Sequence, residues 1–201
     1  MVVVLATRNA GKAREFNRLL GKHFAVQPMP DAIPMPDETG TTFAANARMK
    51  AEAVFAALGA NQAVLADDSG LVVDALGGSP GVYSARYAGE NASDGENVDK
   101  LLGELASVGD RAARFVCNLC LILPDDSAVM IEASGKVEGT ITGVPRGEDG
   151  FGYDPIFQPL GWHETLAETA TGCKDQVSHR GAAARALLDT MRASGRLCHD
   201  D

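Results

Sequence analysis

The chain has 201 residues, 45% of them hydrophobic and 22% charged, with a formal net charge of −9; that is enough apolar material for a sizeable core, and it lacks the basic footprint that a polynucleotide partner requires. A single small anion stays within reach of an acidic protein when a divalent cation neutralises both sets of oxygens. No linker-like stretch divides the chain, no apolar run reaches membrane-spanning length, and Met1-Val2-Val3-Val4-Leu5-Ala6 lacks the basic region and cleavage site of a signal peptide, so one domain over residues 1–201, with no membrane partner and a cytoplasmic location, is expected.

Val2 to Ala6 reads as a strand buried on both faces. It leads into Thr7-Arg8-Asn9-Ala10-Gly11-Lys12 and then a helix with Phe16, Leu19 and Leu20 as its apolar stripe. Strand, Gly-Lys turn and helix in that order can aim backbone N–H groups and a lysine at a phosphate. The turn is not a P-loop, because one of the two spaced glycines is missing and Ala13 follows Lys12; a plain strand–helix connection has the same residues. Residues 28–40 hold four prolines and read as an extended connector that ends at Asp37-Glu38-Thr39-Gly40. A long helix begins near Thr41 or Thr42, with Phe43, Ala47, Ala51, Val54, Phe55 and Leu58 at spacings of three and four and Gly59 as its stop. Glu38 thus precedes a helix N-terminus, and Asn46 and Lys50 share one face of that helix.

The apolar run Ala63 to Ala66 is expected as a short strand ending on Asp67-Asp68-Ser69-Gly70. Two adjacent carboxylates repel, so the pair is fully solvated, metal-bound or shifted in pKa, although Asp-Ser-Gly is also ordinary turn chemistry. Gly77-Gly78-Ser79-Pro80-Gly81 requires a loop, which carries Tyr83, Arg86 and Tyr87 into a short structured segment. Asn97 to Leu105 reads as a helix with Val98, Leu101, Leu102 and Leu105 inward. Arg114 to Leu123, Ala128 to Glu132 and Gly135 to Ile141 read as three strands, the first two joined by a turn at Pro124-Asp125-Asp126-Ser127, so the sheet is expected to be mixed. Of the four cysteines, Cys117 and Cys120 form a C-x-x-C that Cys173 and Cys198 do not repeat. An i,i+3 pair on a strand faces opposite ways, so Cys117 and Cys120 are read as small buried apolar residues.

Between Gly143 and Phe157, four glycines surround Phe151, Tyr153 and Asp154; such a stretch allows close backbone approach to a ligand and exposed aromatics that stack on a planar ring, or is a plain long loop. Ser178 caps a last helix with Ala183, Leu187, Leu188 and Met191 inside. His179 and Arg180 then fall in its first turn, against the helix dipole, where an anion or a ligand acceptor would compensate.

Taken together these segments resemble the inosine triphosphate pyrophosphatase family, also called XTP/dITP diphosphatases. The resemblance is carried by Thr7-Arg8-Asn9-Ala10-Gly11-Lys12, Glu38-Thr39-Gly40, Asn46-Ala47 with Lys50, Ala66-Asp67-Asp68-Ser69-Gly70-Leu71, Gly81-Val82-Tyr83-Ser84-Ala85-Arg86-Tyr87, Gly150-Phe151-Gly152-Tyr153-Asp154-Pro155-Ile156-Phe157 and Ser178-His179-Arg180-Gly181. It implies an elongated α/β fold of two lobes around a central mixed sheet with flanking helices, a nucleotide cleft between the lobes, and a homodimer. It implies Mg2+-dependent hydrolysis of deaminated purine nucleoside triphosphates (ITP, dITP, XTP) to monophosphate and pyrophosphate, cleansing the nucleotide pool. On this resemblance Thr7, Arg8, Asn9, Ala10, Gly11 and Lys12 hold the triphosphate, Glu38 and Asp68 hold Mg2+, Asp68 is the candidate base with Lys50 as its catalytic companion, and Ser69 contacts the substrate. Phe151, Gly152, Tyr153, Asp154, Lys174, His179 and Arg180 surround base and sugar. Asp67 is left as a supporting or water-bridging group. Arg8 stands where some relatives have glycine, and Ala170-Thr171-Gly172-Cys173 replaces a more acidic stretch before Lys174.

The chemistry fits these residue types. Pyrophosphate leaves well only when its charge is neutralised, by Lys12, Arg8 and Mg2+, while a carboxylate orients the attacking water. Rejection of adenine requires donors facing a 6-oxo group, for which His179, Arg180 and the N–H groups of Phe151 to Tyr153 are candidates. A pyrophosphatase for modified pyrimidine triphosphates, a nucleotide-binding regulatory module without turnover and a purely structural protein are the competing readings.

Overall fold

The computed structural model describes residues 1–125 and 128–197. Strands β1 (Val2–Leu5), β2 (Ala25–Pro28), β3 (Ala63–Val73), β4 (Ala112–Ile122), β5 (Met130–Ile141) and β6 (Phe157–Pro159) form one sheet in the order β2-β1-β3-β4-β5-β6. β1 pairs in parallel with β2 and β3, and β5 pairs antiparallel with β6, so the sheet is mixed. Among the described residues the α-helices α1 (Ala10–Leu20), α2 (Phe43–Ala57), α3 (Asp94–Glu104), α4 (Thr171–Val177) and α5 (His179–Ala193) accompany it. The chain divides into two compact units, one made of Met1–Asp68, Cys117–Gly135 and the chain from Arg180 onward, the other of Ser69–Val116 and Lys136–His179. Among the described residues no helix is long and apolar enough to cross a membrane.

In the first unit the pleat of the strands decides which helix each residue meets, because successive side chains leave a strand on opposite faces. Val3 and Leu5 of β1, Ala63 and Leu65 of β3, and Cys117 and Leu119 of β4 pack with Phe16 and Leu20 of α1 and with Leu187 and Met191 of α5. The intervening residues Val4, Val64, Ala66 and Cys120 pack with Ala47, Ala51 and Val54 of α2. Cys117 and Cys120 are therefore buried on opposite faces, and burial pushes both thiols well above their usual range. Cys173 is exposed, and Cys198 lies outside the described residues. Both helix starts are capped: Asn9 Oδ1 accepts the Lys12 N–H at 3.0 Å and Thr42 Oγ1 accepts the Ala45 N–H at 3.1 Å, each cap contributing about 1 kcal/mol.

The second unit is built on Leu71, Val73, Leu101, Phe115, Ile156, Phe157 and Leu166. Helix α3 starts at Asp94 rather than Asn97, because Ser93 and Glu96 close a capping box one turn before the first apolar residue. The two strands expected at 128–132 and 135–141 are one strand, β5, in which exposed residues alternate with partly buried ones through Ser134-Gly135; a small residue weakens a strand without ending it. Asp126 and Ser127 of the expected turn lie outside the described residues. β2, β6 and α4 are too short for their periodicity to stand out, and none of them was expected from the sequence.

Candidate active site

The acidic pair does not close a strand. β3 continues through Asp67, Asp68, Ser69 and Gly70 to Val73, and Asp67 and Asp68 are 1% and 5% exposed. What removes the need for a solvated turn is a separate lysine for each carboxylate, supplied from opposite faces of the sheet. Lys12, in the first turn of α1, donates to Asp67 Oδ2 at 2.8 Å. On the other face Lys50 of α2 reaches Asp68 Oδ1 at 3.3 Å. Burial opposes the charge on Asp67, but Lys12, Lys50 and Arg180 outweigh it and hold the carboxyl at about 2. Burial pushes Asp68 the other way, upward; Lys50 draws it down and Glu38 adds to the rise.

Glu38 is delivered by the end of the proline-rich connector. Its Oε1 accepts from Lys50 Nζ at 2.8 Å, so a single buried ammonium spans Glu38 and Asp68. Burial lowers the pKa of Lys50, yet Asp67, Asp68 and Glu38 raise it further than burial lowers it. Asn46 joins the same corner: its Nδ2 donates to Asp68 Oδ2 at 3.0 Å while its Oδ1 accepts the Gly40 N–H at 2.8 Å. Gly40 must lack a side chain here, since a Cβ would sit 2.5 Å from Asn46 Oδ1.

Arg8 holds the proline-rich connector in this structure. Its guanidinium donates to the carbonyls of Pro30, Asp31 and Ile33 at 2.9, 3.2 and 2.8 Å and to Asp31 Oδ1 at 3.0 Å. A proline-rich connector has no regular ladder to satisfy its carbonyls, and Arg8 supplies donors instead. Thr7 Oγ1 accepts the Asn9 N–H at 3.1 Å, which shapes the turn that leads to Lys12.

In the second unit Lys174 projects from α4 and donates to Asp154 Oδ2 at 2.6 Å, both residues being buried. The same oxygen accepts the Phe151 N–H at 2.9 Å, and Lys174 Nζ lies 5.5 Å from the Phe151 ring centroid. Gly150, at φ +86°, makes this possible, because a Cβ would run into the Asp154 carboxylate. The Gly152 N–H donates to Asp94 Oδ2 at 2.7 Å, so two of the expected ligand donors are engaged by carboxylates in this structure. Tyr153 is not an exposed stacking surface: it is 4% exposed and its hydroxyl donates to the Ser84 carbonyl at 2.8 Å. Ser69 is partly buried in β3. His179, the first residue of α5, is buried and stacked on Phe115, with centroids 4.7 Å apart and planes at 11°. Arg180, in the first unit, donates to Glu15 Oε2 at 2.9 Å. A carboxylate of the protein therefore already compensates the cation in that first turn.

Glu15 and Phe115 are the residues that sequence reasoning passed over. Glu15 sits beside Phe16 on α1, three residues after Lys12, and an acid adjoining an apolar stripe was the available signal. Phe115 was legible only as core.

The pairing of Asp67 has a pH signature. Its carboxyl titrates at about 2 in the fold against an ordinary value of 3.8, so the ionised form contributes stability above pH 3.8 that is lost as pH falls through 2. The contribution is on the order of 2 kcal/mol. Urea unfolding of wild type and Asp67→Asn is expected to show a gap of at least this order near neutral pH, narrowing as the pH is lowered; a gap that widens with acid contradicts the assignment.

Comparison with known proteins gives a consistent set of matches. A model described as the Ham1 family matches residues 3–190. A dITP/XTP pyrophosphatase of Bacillus licheniformis is 48% identical over 195 residues, covering 93% of this chain and 97% of that protein. One of Geobacillus kaustophilus is 50% identical over 186 residues, covering 90% and 89%. Among solved structures, the Ham1 protein of Staphylococcus aureus has a TM-score of 0.83 at 42% identity, covering 96% of this chain and 100% of its own. A structure from Mycobacterium abscessus, named nucleoside-triphosphatase / dITP/XTP pyrophosphatase, has a TM-score of 0.73 at 39% identity, covering 94% and 99%.

Proposed function

The chain belongs to the Ham1 family, and on that ground we propose that it hydrolyses the deaminated purine nucleoside triphosphates ITP, dITP and XTP to monophosphate and pyrophosphate, clearing them from the nucleotide pool. The observation that carries the reading is the Lys50 ammonium between Glu38 and Asp68, at 2.8 and 3.3 Å. Two carboxylates from remote parts of the chain are brought onto one positive charge, an all-oxygen donor pair of the kind Mg2+ prefers. Among the described residues no group of three or more His, Cys, Asp or Glu is placed to hold a metal.

Glu38 and Asp68 would hold the Mg2+. When bound, the ion neutralises phosphate oxygens and so improves pyrophosphate as a leaving group. The residues of the chain do the rest. Lys12 and the N–H groups at the start of α1 bind the phosphates, where the helix dipole favours an anion. Asp68, oriented by Asn46 and Lys50, accepts the proton of the attacking water as its oxygen bonds to the α-phosphorus and the bond to the bridging oxygen breaks. Phe151 to Asp154, Lys174, His179 and Arg180 carry the base and sugar contacts. A homodimer and a cytoplasmic location complete the proposal.

The reading is tested by incubating the protein with Mg2+ and ITP, dITP, XTP, ATP or GTP and identifying the phosphate released. Pyrophosphate from the deaminated purines is expected. Orthophosphate would overturn the reaction type, and equal rates on ATP would overturn the substrate class.

A further inference from the structure

Four charged side chains of the first unit alternate in sign: Lys12, Asp67, Arg180 and Glu15. Lys12 Nζ donates to Asp67 Oδ2 at 2.8 Å, Arg180 lies near enough for its charge to act on Asp67, and Arg180 donates to Glu15 Oε2 at 2.9 Å. Asp67, Glu15 and Arg180 are 1%, 2% and 6% exposed. Lys12 and Glu15 are three residues apart on α1 and so lie on one face of that helix, which sets their partners, Asp67 at 2.8 Å and Arg180 at 2.9 Å, side by side. Lys12 and Arg180 have proposed contacts with substrate, and Asp67 adjoins the proposed base. Glu15 has no role so far.

A carboxylate on the buried face of α1 is costly unless it holds a cation, and a buried ion pair can often be replaced by apolar groups of equal volume without loss of stability. What the pair adds is therefore placement. Arg180 is a forked donor that competes for carboxylates better than a lysine ammonium does. It stands near two of them, Glu15 and Asp67, and Lys12 depends on the second.

We infer that Glu15 is a positioning residue that keeps Arg180 off Asp67, so that Asp67 stays with Lys12 and the Lys12 ammonium is held ready for phosphate. The inference rests on the reading that Lys12 meets the substrate phosphates. With Glu15 neutral, Arg180 turns to Asp67 and Lys12 loses its anchor. An unanchored lysine must then be ordered by the ligand itself, which weakens phosphate binding by up to about tenfold.

The probe is inorganic pyrophosphate with Mg2+, measured on the full chain both as a competitive inhibitor of ITP hydrolysis and as a stabilising ligand in thermal melts. Glu15→Gln is expected to weaken pyrophosphate binding about tenfold. Arg180→Gln, which removes the competitor and leaves Lys12 with Asp67, is expected to bind pyrophosphate as wild type does, whatever its loss toward nucleotides. The double variant is expected to regain wild-type pyrophosphate affinity, a rescue that a merely structural role of Glu15 would not produce. Unchanged or tighter binding in Glu15→Gln, or a double variant as weak as Glu15→Gln, overturns the inference. Should Glu15→Gln fail to fold, Glu15→Asp keeps the charge on a shorter stem; an intermediate loss abolished by Arg180→Gln supports the role, and no loss overturns it. A wild-type protein that neither binds pyrophosphate nor releases it from ITP refutes the assignment of Lys12 instead, so the two failures are distinguishable.

Discussion

Asp68→Asn is expected to lower kcat on ITP about a thousandfold, the usual worth of a well-placed general base, while leaving the protein at least as stable as wild type near neutral pH. The first half follows from the proposed proton transfer to Asp68. The second follows from its surroundings: burial, with Glu38 adding to it, pushes the Asp68 carboxyl above its ordinary value. A group whose folded pKa is raised is destabilising when ionised, and that cost fades as pH falls through the raised folded pKa and is gone below the unfolded value. An asparagine keeps the shape and carries no charge to desolvate, though its amide must be accommodated beside Asn46 and Lys50. Asp67→Asn is expected to behave in the opposite sense, losing stability at neutral pH and less of kcat. Single-turnover kinetics and thermal melts of the two variants side by side check both halves. Equal losses of kcat in the two would show that Asp68 has no special place in the chemistry.

Lys50→Met is expected to destabilise the Mg2+-free protein by about 3–5 kcal/mol, the range for breaking a buried pair from one side. It removes the positive charge between Glu38 and Asp68, whose distances to Nζ are 2.8 and 3.3 Å, and leaves their repulsion uncompensated. Added Mg2+ is then expected to raise the melting temperature of the variant more than that of wild type, because the cation takes over a neutralising task that the lysine performs otherwise. Melts with and without Mg2+ decide the matter. No difference between the two proteins in their response to Mg2+ would remove Glu38 and Asp68 as the metal pair. Turnover is expected to fall as well, since Lys50 also orients Asp68.

The pieces that sequence could reveal are those whose partners are close in the chain or whose signature is a run: the strand and capped turn from Val2 to Lys12, the amphipathic helix after Thr42, and the split of Cys117 and Cys120 across a strand. The mixed sheet was legible from the spacing of its later strands. What was not legible depends on partners far away. An acidic pair in the middle of a strand is implausible until Lys12, 55 residues from Asp67, is seen to neutralise half of it. Arg180 looks like a vacancy for an anion until Glu15, 165 residues earlier, fills that place. Arg8 belongs to a phosphate motif by sequence, and the carbonyls of Pro30, Asp31 and Ile33 that it also meets are more than twenty residues away. Tyr153 lies in a glycine-rich stretch that reads as surface, and the Ser84 carbonyl that accepts its hydroxyl proton is 69 residues back.

The two-faced strand β3 has an evolutionary consequence. Because Asp67 shares its side with Leu65 and α1, and Asp68 shares its side with Ala66 and α2, their different duties depend on counting residues along the strand. Substitutions elsewhere in β3 can be absorbed one at a time. Loss or gain of a single residue between Ala63 and Asp67 would shift the acidic pair by one step of the pleat, sending each aspartate toward the other's lysine and every core residue between them toward the wrong helix. The length of this segment should therefore be far less free to vary than its composition.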